Sequence, residues 1–249
     1  MTPSILLALA LTAAPDLQCA SVAECNRLGT TALQEGRIDA ARNLFSRQID
    51  LADTALEDAD GSTDRTRLEN ALAIALNNAA LAELRAGNCL MARAWLDVAD
   101  GAHKATVANR RQLQSRCDAE PSGMEKTGQY RQYAGHGAWN RIDIRATGDE
   151  TLRLDAFWMR ISRGPLDQYG LAAFGELEQV YLHLDQEQGR GQYDGLDPEI
   201  PCHVDVRFVS GGLEIAHTAV DACRIGGAGA HLHGRYWRVG EASALPEPD

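Results

Sequence analysis

Two hydrophobic periods divide this 249-residue chain. From residue 21 to 117, apolar and small residues recur every three to four positions, the spacing that lines one face of a helix. Beyond residue 128 they recur every second position, as in strands with one buried face. In the first part, Ser21-Val22-Ala23-Glu24 has the form of a capping box at a helix start. Gly36 predicts a left-handed helix end, and Ala41 and Phe45 then share one face of the next helix. The segment "LNNAALAELRAGNCLMARAWLDVA" repeats the layout. Gly87 takes the place of Gly36, Ala92 of Ala41, Leu96 of Phe45, and Ala79-Ala80 of Leu28-Gly29. A loop is predicted at Asp60-Gly61-Ser62-Thr63-Asp64, and a further helix over 103–116 should cap the stack with a polar outer face.

Small and large residues spaced in this way around a turn glycine, over roughly 22–101, resemble the tetratricopeptide repeat. In that family small residues let two helices cross closely. One departure is visible. Gly36 and Gly87 lie 51 residues apart (87 − 36), against a family period of about 34. The surplus falls in "DLADTALEDADGSTDRTRLEN", which should lengthen the helices and supply the loop. The resemblance implies a binding module whose stacked helices offer a concave face to a protein or peptide partner. The first groove-lining helix would present Asn26, Arg27 and Thr30, and the second Asn77 and Asn78, the candidate partner-binding residues. Members that grip a peptide carboxylate use Lys beside Asn. No Lys stands at these positions, so that clamp does not carry over.

In the second part, Ile142/Ile144 and Leu152/Leu154 alternate around a polar turn, a hairpin signature. Val180/Leu182/Leu184 alternate likewise. Val204/Val206/Phe208 lead to a turn at Gly211-Gly212 and return through Leu213/Ile215. "GRYWRV", 234–239, closes the series. Short strands with such turns predict an antiparallel barrel or sandwich. The fold class expected is α+β: tetratricopeptide-like helical hairpins over 20–117, a linker at 118–128, an antiparallel β domain over 129–240 and a tail at 241–249. The Pro, Ser and Gly of "DAEPSGMEKTG" mark the linker, and two independently stable domains are expected around it.

The start of the chain predicts a protein outside the cytosol. Ile5 to Ala14 form an apolar run, too short to span a bilayer and of the length of a secretory signal, expected at 1–14. The run lacks a preceding Lys or Arg. Cys19 raises a lipidated N-terminus as another reading, but Gln18 breaks the small-residue pattern that lipidation requires. The localisation expected is periplasmic or secreted, with no membrane span. A net charge of −11 argues against a nucleic-acid groove.

Six cysteines, an even number in an exported chain, then read as a disulfide framework. Cys89 opens one predicted helix and Cys117 ends the next, so antiparallel packing would join them. Cys202 and Cys223 flank the glycine hairpin; Cys19 and Cys25 bracket the capping box. No C-x-x-C occurs, which speaks against thiol redox or zinc chemistry.

Other chemistry is sparse. His231 and His233 share one face if extended, and with His203 or His217 nearby they form the one metal-binding alternative; H-x-H alone is common. There is no G-x-S-x-G, and the sole lysines, Lys104 and Lys126, lie in no phosphate-loop or Schiff-base setting. Trp139, Trp158, Tyr236 and Trp237 read as core or edge packing. The function expected is a non-catalytic, cofactor-free interaction protein with a protein or peptide partner. An inhibitor or immunity-type protein acting on a cell-wall hydrolase such as a lysozyme is the second reading. There, "SRGPLDQYG" and "DQEQGRGQYDG" would be the reaching loops.

Overall fold

A computed structural model describes residues 18–59, 62–99, 101–117, 126–147, 151–163, 169–185, 190–193, 204–217 and 232–242. The expected signal at 1–14, most of the linker, Cys202, Cys223, His203, His231 and the tail from 243 lie outside the described residues.

Five helices come first: α1 (Val22–Gln34), α2 (Ile38–Glu57), α3 (Ser62–Arg85), α4 (Cys89–Val98) and α5 (Lys104–Arg116). Ser21 caps α1, its hydroxyl accepting from the Glu24 amide at 3.2 Å. The Glu24 carboxylate reaches back to the Ala20 amide at 2.9 Å, one residue short of the reciprocal bond of a full capping box. Gly36 and Gly87 both take positive φ, +75° and +83°. After each, the chain closes the helix with the same bond: Arg37 N–H to Ala32 O, and Asn88 N–H to Glu83 O. α3 already begins at Ser62, so Ser62, Thr63 and Asp64 of the predicted loop are helical. Asp64 lies in its first turn, where a carboxylate is favoured by the exposed amides. The surplus in repeat length is thus taken up by helices of 20 and 24 residues.

Helix crossing is close where the small residues predicted it. A Cβ at Gly29 would sit 2.4 Å from Phe45 Cε1. Ala32, Ala41, Leu44, Phe45, Ile49, Ala75, Leu76, Ala80, Ala92 and Leu96 form one buried cluster. Burying each large member contributes roughly 1.5–3 kcal/mol. The helices form two layers. α1 packs beside α3 and α3 beside α5, while α2 and α4 lie behind them. In α5 the buried positions are Thr106, Asn109 and Leu113, so it caps the stack with little apolar surface.

Eight strands follow among the described residues: β1 (Gly128–Gly135), β2 (Ala138–Ala146), β3 (Thr151–Arg163), β4 (Tyr169–Asp185), β5 (Arg190–Tyr193), β6 (Val204–Val209), β7 (Gly212–His217) and β8 (Gly234–Gly240). Each pairs antiparallel with the next, and β8 returns to β1, closing a barrel. Of the two architectures expected, the barrel is the one formed. Its interior is one cluster that includes Tyr130, Ile142, Ile144, Leu154, Trp158, Val206, Phe208, Leu213, Ile215 and Tyr236. Eight strands leave an interior that side chains can fill. The Tyr236 hydroxyl donates to Leu232 O at 3.0 Å. The buried Trp158 indole N–H meets no acceptor.

The β6–β7 turn is Ser210-Gly211, one residue earlier than expected, with Val209 opposite Gly212 and Val204 opposite His217. Only Gly211 needs a positive φ there, +73°. Gly212 belongs to the strand, and it is glycine for a different reason: a Cβ would lie 2.1 Å from the Tyr236 carbonyl oxygen.

Candidate functional site

The two layers of helices face different neighbours. The barrel packs against the back layer, with β8 on α4. The outward aromatics of β1, β2 and β8 supply the contact. Trp95 of α4 meets Trp139 edge-on at 4.6 Å between centroids and Tyr133 at 5.9 Å. Trp139 in turn meets Trp237 at 6.4 Å. Such edge-on pairs add about 0.5–1.5 kcal/mol each beyond buried area.

Beside this aromatic patch, the tip of the β1–β2 hairpin seats on α2. Asp50, Asp53 and Glu57 stand at i, i+3 and i+7, a single helical face. Asp53 Oδ2 accepts from the Tyr133 hydroxyl at 2.5 Å and from the His136 amide at 2.8 Å. The His136 ring lies between the other two carboxylates, Nδ1 3.3 Å from Asp50 and Nε2 3.1 Å from Glu57. Its side chain is only 6% exposed. The tip is tight: Gly135, His136 and Gly137 all have positive φ. A Cβ at Gly137 would come within 3.0 Å of Ser46 Oγ. Burial, reinforced by Asp53, pushes the Tyr133 phenol far above its ordinary range.

The candidate partner-binding residues lie in the front layer and are engaged within the chain. Asn77 is buried; its amide donates to Ala73 O and Thr106 Oγ1, both at 2.8 Å, and it accepts from Asn109 at 3.1 Å. Asn78 is half-buried and donates to Asn26 at 2.7 Å and Gln48 at 3.1 Å. The two asparagines thus join α3 to α5 on one side and to α1 and α2 on the other. Arg27 and Thr30 of α1, and Lys104, Val107 and Arg111 of α5, are among the exposed residues of that layer. Val107 is 40% exposed, unusual for its type in this chain.

Cys19–Cys25 and Cys89–Cys117 are disulfides, with Cα–Cα distances of 5.1 and 5.9 Å. The second fastens the C-terminus of α5 to the N-terminus of α4. The first uses the same sulfur that a thioether-linked lipid would need.

Metal and cofactor candidates are few. His233 is exposed, and its carbonyl accepts from Gln132 at 3.0 Å. Among the described residues no group of three or more His, Cys, Asp or Glu side chains is placed to hold a metal ion. A cleft of about 470 Å³ on the barrel is lined by residues that include Asp205, Arg207, Glu214 and Arg235; Arg207 and Glu214 pair with each other.

Comparison with protein-family models, curated proteins and solved structures finds no match. Sequence patterning placed the repeat turns and the Cys89–Cys117 pair. It did not find the junction on α2, whose acids look like an ordinary solvated helix face. The Gly135-His136-Gly137 run between Tyr133 and Trp139 was its one local signal.

Proposed function

We propose that the protein is an exported, non-catalytic interaction module of tetratricopeptide-repeat type. Its α1/α3/α5 layer binds a protein or peptide while the barrel is fixed to the opposite layer. The observation that carries this reading is the position of the barrel on α2 and α4. That docking leaves the repeat-type groove layer facing away from the junction. Asn77 and Asn78 hold the layer together, and partner contact falls to Arg27, Thr30, Lys104, Val107 and Arg111.

Two disulfides in the helical half support an oxidising, extracytoplasmic setting. The test is affinity capture from a cell-envelope extract with the oxidised chain, in parallel with an Arg27→Glu/Arg111→Glu variant. The reading expects a retained protein that the variant loses. Retention that is equal for both chains would contradict it. Capture of a cell-wall hydrolase whose activity falls on binding would support the inhibitor reading instead.

A further inference from the structure

We propose that the outer wall of the barrel, at Arg131 and Arg141, is a second interaction surface that receives an acidic segment of a protein partner. It is separate from the α1/α3/α5 layer and does not rest on that reading. Arg131 of β1 stands directly opposite Arg141 of β2. Trp237 of β8 flanks Arg131 on one side, and Phe157 of β3 flanks Arg141 on the other. Their chain neighbours Tyr130, Ile142, Tyr236 and Trp158 are buried in the barrel, so the four side chains share its outer face. Across four adjacent strands the row reads Trp, Arg, Arg, Phe.

Like charges directly opposite each other destabilise a sheet. Here no ion pair relieves them. Arg145 and Arg153 of the same wall both pair with Asp155, whereas among the described residues Arg131 and Arg141 pair with no carboxylate. Burial holds the Arg131 guanidinium below its usual range; Asp143, two residues along from Arg141, offsets this in part, and Arg141 adds to it. Arg131 spends one donor on the Tyr130 carbonyl, at 3.0 Å. A guanidinium has five N–H donors, so most of the pair's capacity faces outward.

The chemistry of the row selects its ligand. The Arg141 guanidinium lies over the Phe157 ring, 5.2 Å from its centroid. That contact occupies the ring face and fixes the guanidinium plane. A ring face used in this way does not stack on a sugar. What the row offers is N–H forks in fixed planes, the match for a carboxylate. Two guanidiniums beside the Asp143 carboxylate leave one net positive charge, which suits a carboxylate better than a doubly charged phosphate. Arg set among Trp and Phe is also the mixture that anchors protein interfaces.

The experiment uses the full oxidised chain and a blocked hexaglutamate peptide as the probe, with hexaglutamine and inorganic phosphate as comparisons. Arginine Nε–H and tryptophan Nε1–H resonances are followed by NMR at low salt. Hexaglutamate should shift Arg131, Arg141 and Trp237, hexaglutamine should not, and added salt should weaken the effect. Arg141→Gln should weaken binding by about ten-fold or more, because charged hydrogen bonds are lost. Arg207→Gln, on β6, should leave binding unchanged. Arg141 is exposed, so its replacement should move the thermal midpoint by less than about 2 °C. Equal binding by Arg141→Gln would overturn the surface, and a larger fall in midpoint would place Arg141 in the wall's own packing and overturn it too. Shifts confined to Arg27 and Arg111 would overturn it while leaving the front-layer reading intact. Phosphate binding tighter than hexaglutamate would overturn the polypeptide carboxylate. Self-association that Arg141→Gln abolishes would give the wall to a second copy of the chain instead.

Discussion

Breaking the Cys89–Cys117 bridge is the sharpest way to ask what holds α5 in place. Three side chains of α5 are buried, and two of them, Thr106 and Asn109, are polar. Hydrogen bonds to Asn77 add about 0.5–1.5 kcal/mol each. The staple spans 28 residues. In the chain-entropy model a loop of that length stabilises by about 3.5 kcal/mol. Cys89→Ser and Cys117→Ser should each cost about that much, and the double variant little more than either, because one bond is lost in all three. The coupling energy of the double-mutant cycle should then be about −3.5 kcal/mol. For a unit of this size the thermal midpoint should fall by about 15 °C or more. Urea denaturation followed by far-ultraviolet circular dichroism reads the stabilities. Amide exchange should show α5 opening before α1 and α2. Cys19–Cys25 closes a shorter loop, 6 residues, so Cys19→Ser should cost about 1 kcal/mol less. Additive losses for Cys89→Ser and Cys117→Ser would refute the reasoning, as would an α5 still protected in the double variant.

Gly29→Ala forces a methyl to within 2.4 Å of the Phe45 ring and should destabilise by about 1–3 kcal/mol in denaturant melts; adding Phe45→Leu should recover part of that loss. Gly212→Ala presses on the Tyr236 backbone rather than a movable ring, so it should disrupt β7–β8 pairing, seen as lost amide protection at Leu213 and Ile215. Asp53→Ala strands the Tyr133 hydroxyl and the His136 amide, which should cost about 1–3 kcal/mol for each group left unpaired and perturb the tryptophan fluorescence. Burial raises both Tyr133 and Tyr236 above the ordinary phenol range. Their contribution to stability is therefore present below about pH 10 and is lost as pH rises beyond it. In an alkaline absorbance titration, Tyr133 and Tyr236 should ionise only as the chain unfolds.

The parts of the fold legible in the sequence were those set by local spacing. Gly36 and Gly87, with Ala41/Phe45 and Ala92/Leu96 behind them, state a close helical crossing twice over. Ile142/Ile144 against Leu152/Leu154 states a hairpin in the same local way. What spacing could not state was which surfaces meet. Asp50, Asp53 and Glu57 have the pattern of any polar helix face, and nothing near them in the chain announces a hairpin tip some 80 residues later. β1 was missed because "GQYRQYAG" places polar Gln132 beside Tyr130 instead of a run of aliphatic residues. The Gly211-Gly212 turn slipped by one residue because both glycines look alike in sequence, although one serves the turn and the other a close backbone approach.

The front layer of helices, α1, α3 and α5, is the face proposed to bind the partner. A photo-crosslinking residue placed at Thr30 or Val107, in cells that express the exported chain, tests this most directly. Position Arg207, on β6 of the barrel, serves as the reference. Both front-layer positions should yield one shared adduct, of a protein or peptide, that the Arg207 position does not yield. Adducts at Arg207 with none at Thr30 and Val107 would contradict the account and move the binding surface to the barrel.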